Sequence, residues 1–282
     1  MFLPAILYVL ALVGVPFVLA FIYSMGDVTV GSVGYRFVGL ENFASVLQNP
    51  TFLLAVRNSF LFTIASQILV LVGATILALA LKDAFRGRRL IRFLILLPWV
   101  APVSIGSIGW KWILDSLYSV INWVLVQLHL VKKFDAPMWL GEPKLAMLSV
   151  ILVHTWHMLP FATVIILAGW TALPRDIPEA AAVDGAGFFR RLFQIEIPMM
   201  LPIINVAVLF GMIFTFTDMT VIYILTRGGP YDTTQVLPSL AFFTGILGSD
   251  LAEGAAISIF LVPLLVAVAW LMLRSAHRAE IT

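Results

Sequence analysis

TALPRDIPEAAAVDGAGFFRRLFQIEI, residues 171–197, is the most informative stretch of this 282-residue chain. It reads as two short helices joined at a glycine. Asp176 can cap the first helix, Pro178 suits its first turn, and Glu179 stands three residues after the cap. Ala180, Ala181 and Ala182 propagate the helix while adding little bulk, and Gly185 supplies the left-handed residue that ends it. In the second helix the periodicity predicts Phe188, Phe189, Leu192 and Phe193 on one face, with Arg190, Arg191 and Gln194 on the other. A small-residue face permits close approach to a groove, and aromatic side chains can anchor such a contact. The same apolar side chains would also suit burial among lipid headgroups. Periodicity does not choose between the two.

Long apolar stretches flank this loop at 145–170 and 198–225, and four more occur at 2–24, 58–81, 93–110 and 255–273. Roughly 20 apolar residues span about 30 Å of hydrocarbon at about 1.5 Å per residue. The chain is 61% hydrophobic and 11% charged, with a mean hydropathy of +1.04. Soluble domains run near half apolar and about a quarter charged, so lipid must be part of the solvent here. The expectation is one all-α domain over residues 1–282 with six transmembrane helices. The third stretch is the shortest and is punctuated by Pro98, Pro102, Gly106 and Gly109. It reads as a packed inner helix whose freed backbone groups are satisfied by neighbours. The first stretch lacks a basic leader region, and its run exceeds the about 7–15 residues of a signal-peptide core. It therefore reads as a retained span; whether a leader precedes Met1 stays open.

Lysine and arginine in the short loops orient the chain. Lys82, Arg86, Arg88, Arg89, Arg92, Arg175, Arg190, Arg191, Arg274 and Arg278 fall in segments 82–92, 171–197 and 274–282. The remaining basic residues are spread over the longer segments 25–57, 111–144 and 226–254, at about a third of that density. The first set marks the cytoplasmic side and places both termini inside. Among the external segments, 37–48 predicts a short interfacial helix with Phe43, Val46 and Leu47 as its apolar stripe, and 116–130 reads similarly. A formal charge of +2 suggests no grip on nucleic acid, and the absence of cysteine excludes disulfides, thiolate metal sites and cysteine nucleophiles.

Glu179-Ala180-Ala181, then Gly185, then Ile195 and Ile197-Pro198, resembles the EAA loop of bacterial ABC-importer permeases. The run EAAAVDGA followed by Phe193 resembles the carbohydrate branch of maltose-transporter type, with Ile197 where that family usually has leucine. Residues 37–59 resemble the segment leading into the second span of these sugar permeases. YILTRGGPYDTT, residues 223–234, resembles the segment after span five in the member that pairs with a second, related permease. The resemblance implies a cytoplasmic coupling loop gripped by a separate ATPase subunit. Glu179, Ala180, Ala181, Asp184 and Gly185 would sit in its cleft, with Glu179 paired to a basic residue there, and Phe188, Phe189 and Phe193 would pack around the docking site. It also implies a heterodimer with the second permease, two ATPase subunits, an extracytoplasmic substrate-binding protein, and residence in the bacterial cytoplasmic membrane. The chain carries no Gly-x-x-x-x-Gly-Lys-Ser/Thr run, so ATP and Mg belong to the partner. The chain itself is expected to be no enzyme and to bind no cofactor.

Polar groups inside spans are expensive and point to a path or a partner. Asp218 is the one acid deep in span five, flanked a turn away by Phe214 and Ile222. An acid beside an aromatic suits a sugar, whose hydroxyls donate hydrogen bonds and whose C–H faces stack on rings; a structural bond to another helix would serve as well. His154, Gln67, Asn58 and Asn205 are further candidates for lining the path. His154 and His157 share a face of span four at metal-ligand spacing, but without an evident third ligand a structural contact is the expected role and no metal is assigned. No HExxH or GxSxG run is present. Two rival readings are an ion-coupled secondary transporter with Asp218 as the ion site, and a membrane enzyme using the two histidines. The lack of an inverted-repeat signature speaks against the first.

Overall fold

The computed structural model describes residues 3–32, 34–116, 118–174 and 176–280. Arg175, counted above among the loop cations, and Leu117, within the 116–130 segment, lie outside the described residues. The helices in chain order are α1 (Leu3–Ser24), α2 (Glu41–Gln48), α3 (Pro50–Lys82), α4 (Arg88–Val100), α5 (Val103–Ile113) and α6 (Val120–Gln127). They continue with α7 (Pro143–Ala172), α8 (Asp176–Val183), α9 (Phe188–Thr217), α10 (Thr220–Leu225), α11 (Leu237–Leu247), α12 (Leu251–Ile259) and α13 (Leu261–Glu280). The only strand pairing of more than one residue among the described residues joins Gly26–Asp27 to Arg36–Phe37 beyond the end of α1.

Among the described residues five helical runs are long and apolar enough to cross a membrane: α1, α3, α7, α9 and the Leu251–Leu271 run through α12 and α13. The bent pair α4–α5, whose halves meet at 94°, makes a sixth such run when the two are taken together as one broken span. The centre of the molecule is α3 against α7, with α9 closing the third side. Val70, Ala74 and Ala78 meet Met158, Ala162 and Ile166, and Leu192 and Met200 complete the cluster. Lipid tails are as apolar as leucine, so association here depends on close fit, which small residues allow. Gly169 lets α7 approach α9 closely, since a Cβ there would meet Met200 at 3.0 Å and Ile203 at 3.2 Å.

A second cluster joins Val46 of α2 and Phe52 and Ala55 of α3 to Leu237, Leu240 and Ala241 of α11 and to Ala256, Ile257 and Leu261. The expected interfacial helix α2 is therefore built into the body: Val46 is fully buried, and the Phe43 ring meets Phe260 at 5.7 Å. Leu47, assigned to the same stripe, faces outward.

The third crossing is not the packed inner helix expected from sequence. No residue of α4 is buried, and only Ser107 of α5 is. The chain breaks at Ala101–Pro102, where Ala101, the residue before a proline, takes extended backbone and Pro102 has no N–H to offer the Pro98 carbonyl. His157 of α7 supplies the missing donor, Nδ1–H to Pro98 O at 2.8 Å. Span five also differs: it begins at Phe188, well before Pro198, and stops at Thr217. After it the chain forms the short α10 and then α11, an apolar helix folded against α12, where sequence had suggested only an external segment.

Candidate functional site

The loop between α7 and α9 holds α8 away from the body. Glu179, Ala180, Asp184 and Gly185 are exposed, and of α8 only Ala181 is buried. Asp176 is the first residue of the helix rather than its cap. The helix closes with a Schellman turn, in which Gly185 N–H donates to Ala182 O at 3.1 Å and Ala186 N–H to Ala181 O at 2.9 Å. Gly185 has φ +81°, the left-handed conformation foreseen for it. The second helix corrects the periodicity reading. Phe188, Phe189 and Phe193 point outward, with the first two rings edge-to-face at 5.3 Å, while Leu192 turns into the core. A π turn over Leu192–Glu196 begins at that point, and its extra residue rotates the rest of the helix relative to the first turn.

At the base of this loop stands a carboxylate that sequence reasoning passed over. Glu196 is buried and accepts from Trp170 Nε1 at 2.7 Å, Lys82 Nζ at 3.4 Å and Arg191 Nε at 3.2 Å. Lys82 also lies over the Trp170 ring, 5.7 Å from its centroid. Above the group opens a cleft of about 550 Å³ between α8 and the ends of α3 and α7, with Glu179, Pro178 and Ala182 on its α8 side. The one available signal was a lone acid in the apolar run Phe193–Ile197.

Within the spans the structure gathers a polar seam. Thr215 Oγ1 lies 2.7 Å from Gly211 O and 2.9 Å from His154 Nε2, within hydrogen-bond reach of both. His154 Nδ1 faces Asp218 Oδ2 at 3.0 Å, within hydrogen-bond distance. Asp218 Oδ1 accepts the Thr220 N–H at 2.7 Å and so caps α10 where span five breaks. Gln67 of α3 is packed against Gly211, where even a Cβ would collide with it. Of the residues singled out from sequence, Asp218, His154 and Gln67 thus meet along one line.

Phe214 lies beside that line in an aromatic group, 6.1 Å from Trp99 and 5.8 Å from Phe161, and it remains 40% exposed. Trp99 stacks on Phe161 at 4.8 Å and on His157 at 5.4 Å. Asn205 is half-buried on α9 but stands about 20 Å along the helix from Asp218 at about 1.5 Å per residue. Ile222, expected to flank Asp218, is buried in the core instead. Asn58 is spent on the segment after span five, donating to Gln235 O at 3.1 Å and Asp232 O at 3.3 Å. The two histidines reach different partners, and among the described residues no three His, Cys, Asp or Glu side chains converge as metal ligands would.

Residues 70–280 match the family model described as binding-protein-dependent transport system inner membrane component. The chain is 34% identical over 224 residues to the trehalose/maltose transport system permease protein MalF of Thermococcus litoralis, covering 79% of this chain and 74% of that one. It is 31% identical over 239 residues to the sulfoquinovosyl glycerol transport system permease protein SmoG of Agrobacterium fabrum, covering 85% and 76%. Among solved structures it resembles a chain of the bacterial alginate ABC transporter in complex with alginate pentasaccharide-bound periplasmic protein. That likeness has a TM-score of 0.80 at 20% identity over 98% of this chain and 91% of the other.

Proposed function

The chain belongs to the family of binding-protein-dependent transport system inner membrane components, the permease subunits of ABC importers, and we propose that it moves a sugar or sugar-like solute into the cell by alternating access. It is a multi-pass protein of the inner membrane, and ATP is hydrolysed by a separate subunit. The sugar assignment draws on the named cargoes of its relatives, a disaccharide and a sugar glycoside. The half-exposed aromatic group at Phe214, beside the polar seam at Asp218, suits a solute with stacking faces and hydroxyls.

The observation that carries the mechanism is α8, a short helix held clear of the body with Glu179 and Asp184 exposed and its end set by Gly185. In this reading α8 faces the cytosol and is gripped by one of two ATPase subunits, with Phe188, Phe189 and Phe193 packed around the contact. ATP and Mg sit on that partner. Closure of the ATPase pair draws the coupling helices of this chain and a second, related permease together. The two permeases then pass from inward-facing to outward-facing and accept solute from an extracytoplasmic binding protein. The resemblance of residues 223–234 to the heterodimer-forming member favours a non-identical second permease.

The test is uptake of labelled disaccharides by the reconstituted transporter. A β-branched residue at φ +81° is strained by about 1–2 kcal/mol. Gly185→Val and Glu179→Lys should therefore lower uptake per ATP by about tenfold, with the protein still in the membrane. Wild-type uptake in both variants would overturn the coupling role.

A further inference from the structure

We propose that Glu196 is a positioning residue through which movement of the coupling loop reaches spans two and four; this deepens the coupling role proposed above and rests on it. Three donors from three separate segments meet on this carboxylate: Trp170 near the end of α7, Lys82 at the end of α3, and Arg191 in the first turn of α9. The Glu196 side chain is only 4% exposed, against 23% for Lys82 and 28% for Arg191. Two cations therefore reach inward from the surface to a charge that does not reach out to them.

A buried carboxylate is a poor way to gain stability, because well-packed apolar residues commonly do as well or better. Its value here is geometric. Spans two, four and five meet at this one charge, and the directionality of its three bonds restricts their relative rotation more narrowly than apolar packing does. The π turn over Leu192–Glu196 serves the same end, since one extra residue rotates the side chain by about 100°. It brings Glu196 under the helices and leaves Phe193 outside.

The need for such a fastening comes from how thinly α8 is attached. Only Ala181 of α8 is buried, and the cleft of about 550 Å³ separates it from α3 and α7. A pull on α8 alone would be absorbed by that gap. With Glu196 bonded to both spans, the base of the loop and the ends of α3 and α7 move as one body. The loop then acts on the spans at Glu196 rather than through α8 itself.

The experiment uses the full complex in proteoliposomes, with this chain carrying Ala180→Cys on a background that has no native cysteine. Cross-linking of position 180 to the ATPase, ATP hydrolysis and solute uptake are read together. Glu196→Gln keeps the shape and the acceptor for Trp170 but removes the charge that holds Lys82 and Arg191. Cross-linking and hydrolysis should persist while uptake per ATP falls by about tenfold. Glu196→Asp, which keeps the charge on a shorter side chain, should retain part of that ratio, which a mere packing role would not do. Should Glu196→Gln fail to accumulate, Glu196→Met preserves the volume, and the same loss is expected. An unchanged ratio in a variant that assembles would overturn the proposal. Absence of the cross-link in the parent complex would instead overturn the coupling role on which it rests.

Discussion

Asp218 divides its two oxygens between the Thr220 N–H and His154, and His154 passes the chain of bonds on to Thr215 and Gly211. The imidazole and the carboxylate that sequence offers for solute contact are therefore already engaged across helices. What this region leaves exposed, and so available to a solute in the proposed reading, is Phe214 and 17% of the Asp218 side chain. Breaking one partner of a buried pair in a soluble core costs about 3–5 kcal/mol. Within lipid, coupling between hydrogen-bonded residues on different helices is smaller, about 0.6 kcal/mol on average and up to about 1.7 kcal/mol, because the unfolded helices find other partners. We expect a coupling of about 0.6–1.7 kcal/mol from the cycle Asp218→Leu, His154→Leu and the double variant, read by unfolding in detergent. Additive single effects would show that the pair does not act as a unit.

At the scale of elements, the bend in span three is set by one missing hydrogen atom. The Pro98 carbonyl would receive the N–H of residue 102 in a continuous helix; proline has none, and His157 takes the place. Pro102→Ala restores that donor and sets it in competition with His157. Spin labels at Leu90 and Ile108, both exposed, report the outcome. The bent arms put those positions about 20 Å apart, and a straight helix would put them about 27 Å apart at about 1.5 Å per residue. An unchanged distance would mean that packing of α5 against α7 and α10, rather than the absent N–H, holds the bend. The prolines were legible in the sequence, but the angle was not, because a proline weakens a helix without saying which neighbour will claim the freed carbonyl. The same limit hid α11: an apolar run of about three turns is too short to announce a crossing and is read only from what it packs against.

For the whole molecule, the proposed orientation is open to direct test because no cysteine need be removed. Phe134 is 99% exposed and Val183 is 89% exposed, and α7 is the membrane-length helix between them. An impermeant maleimide should label Phe134→Cys from outside intact cells and Val183→Cys only after the membrane is opened. Labelling of both from one side would overturn the orientation.

Sequence alone determined what depends on near neighbours and on the solvent. These are a helical membrane chain, because hydrocarbon thickness sets the length of an apolar helix, and the left-handed turn at Gly185, because few other residues take that conformation without strain. Only the tertiary structure decided which polar groups meet. His154 finds Asp218 across 64 residues, His157 finds Pro98 across 59, and Lys82 finds Glu196 across 114. No local pattern encodes such pairings, because a buried polar group requires a partner but does not specify which one.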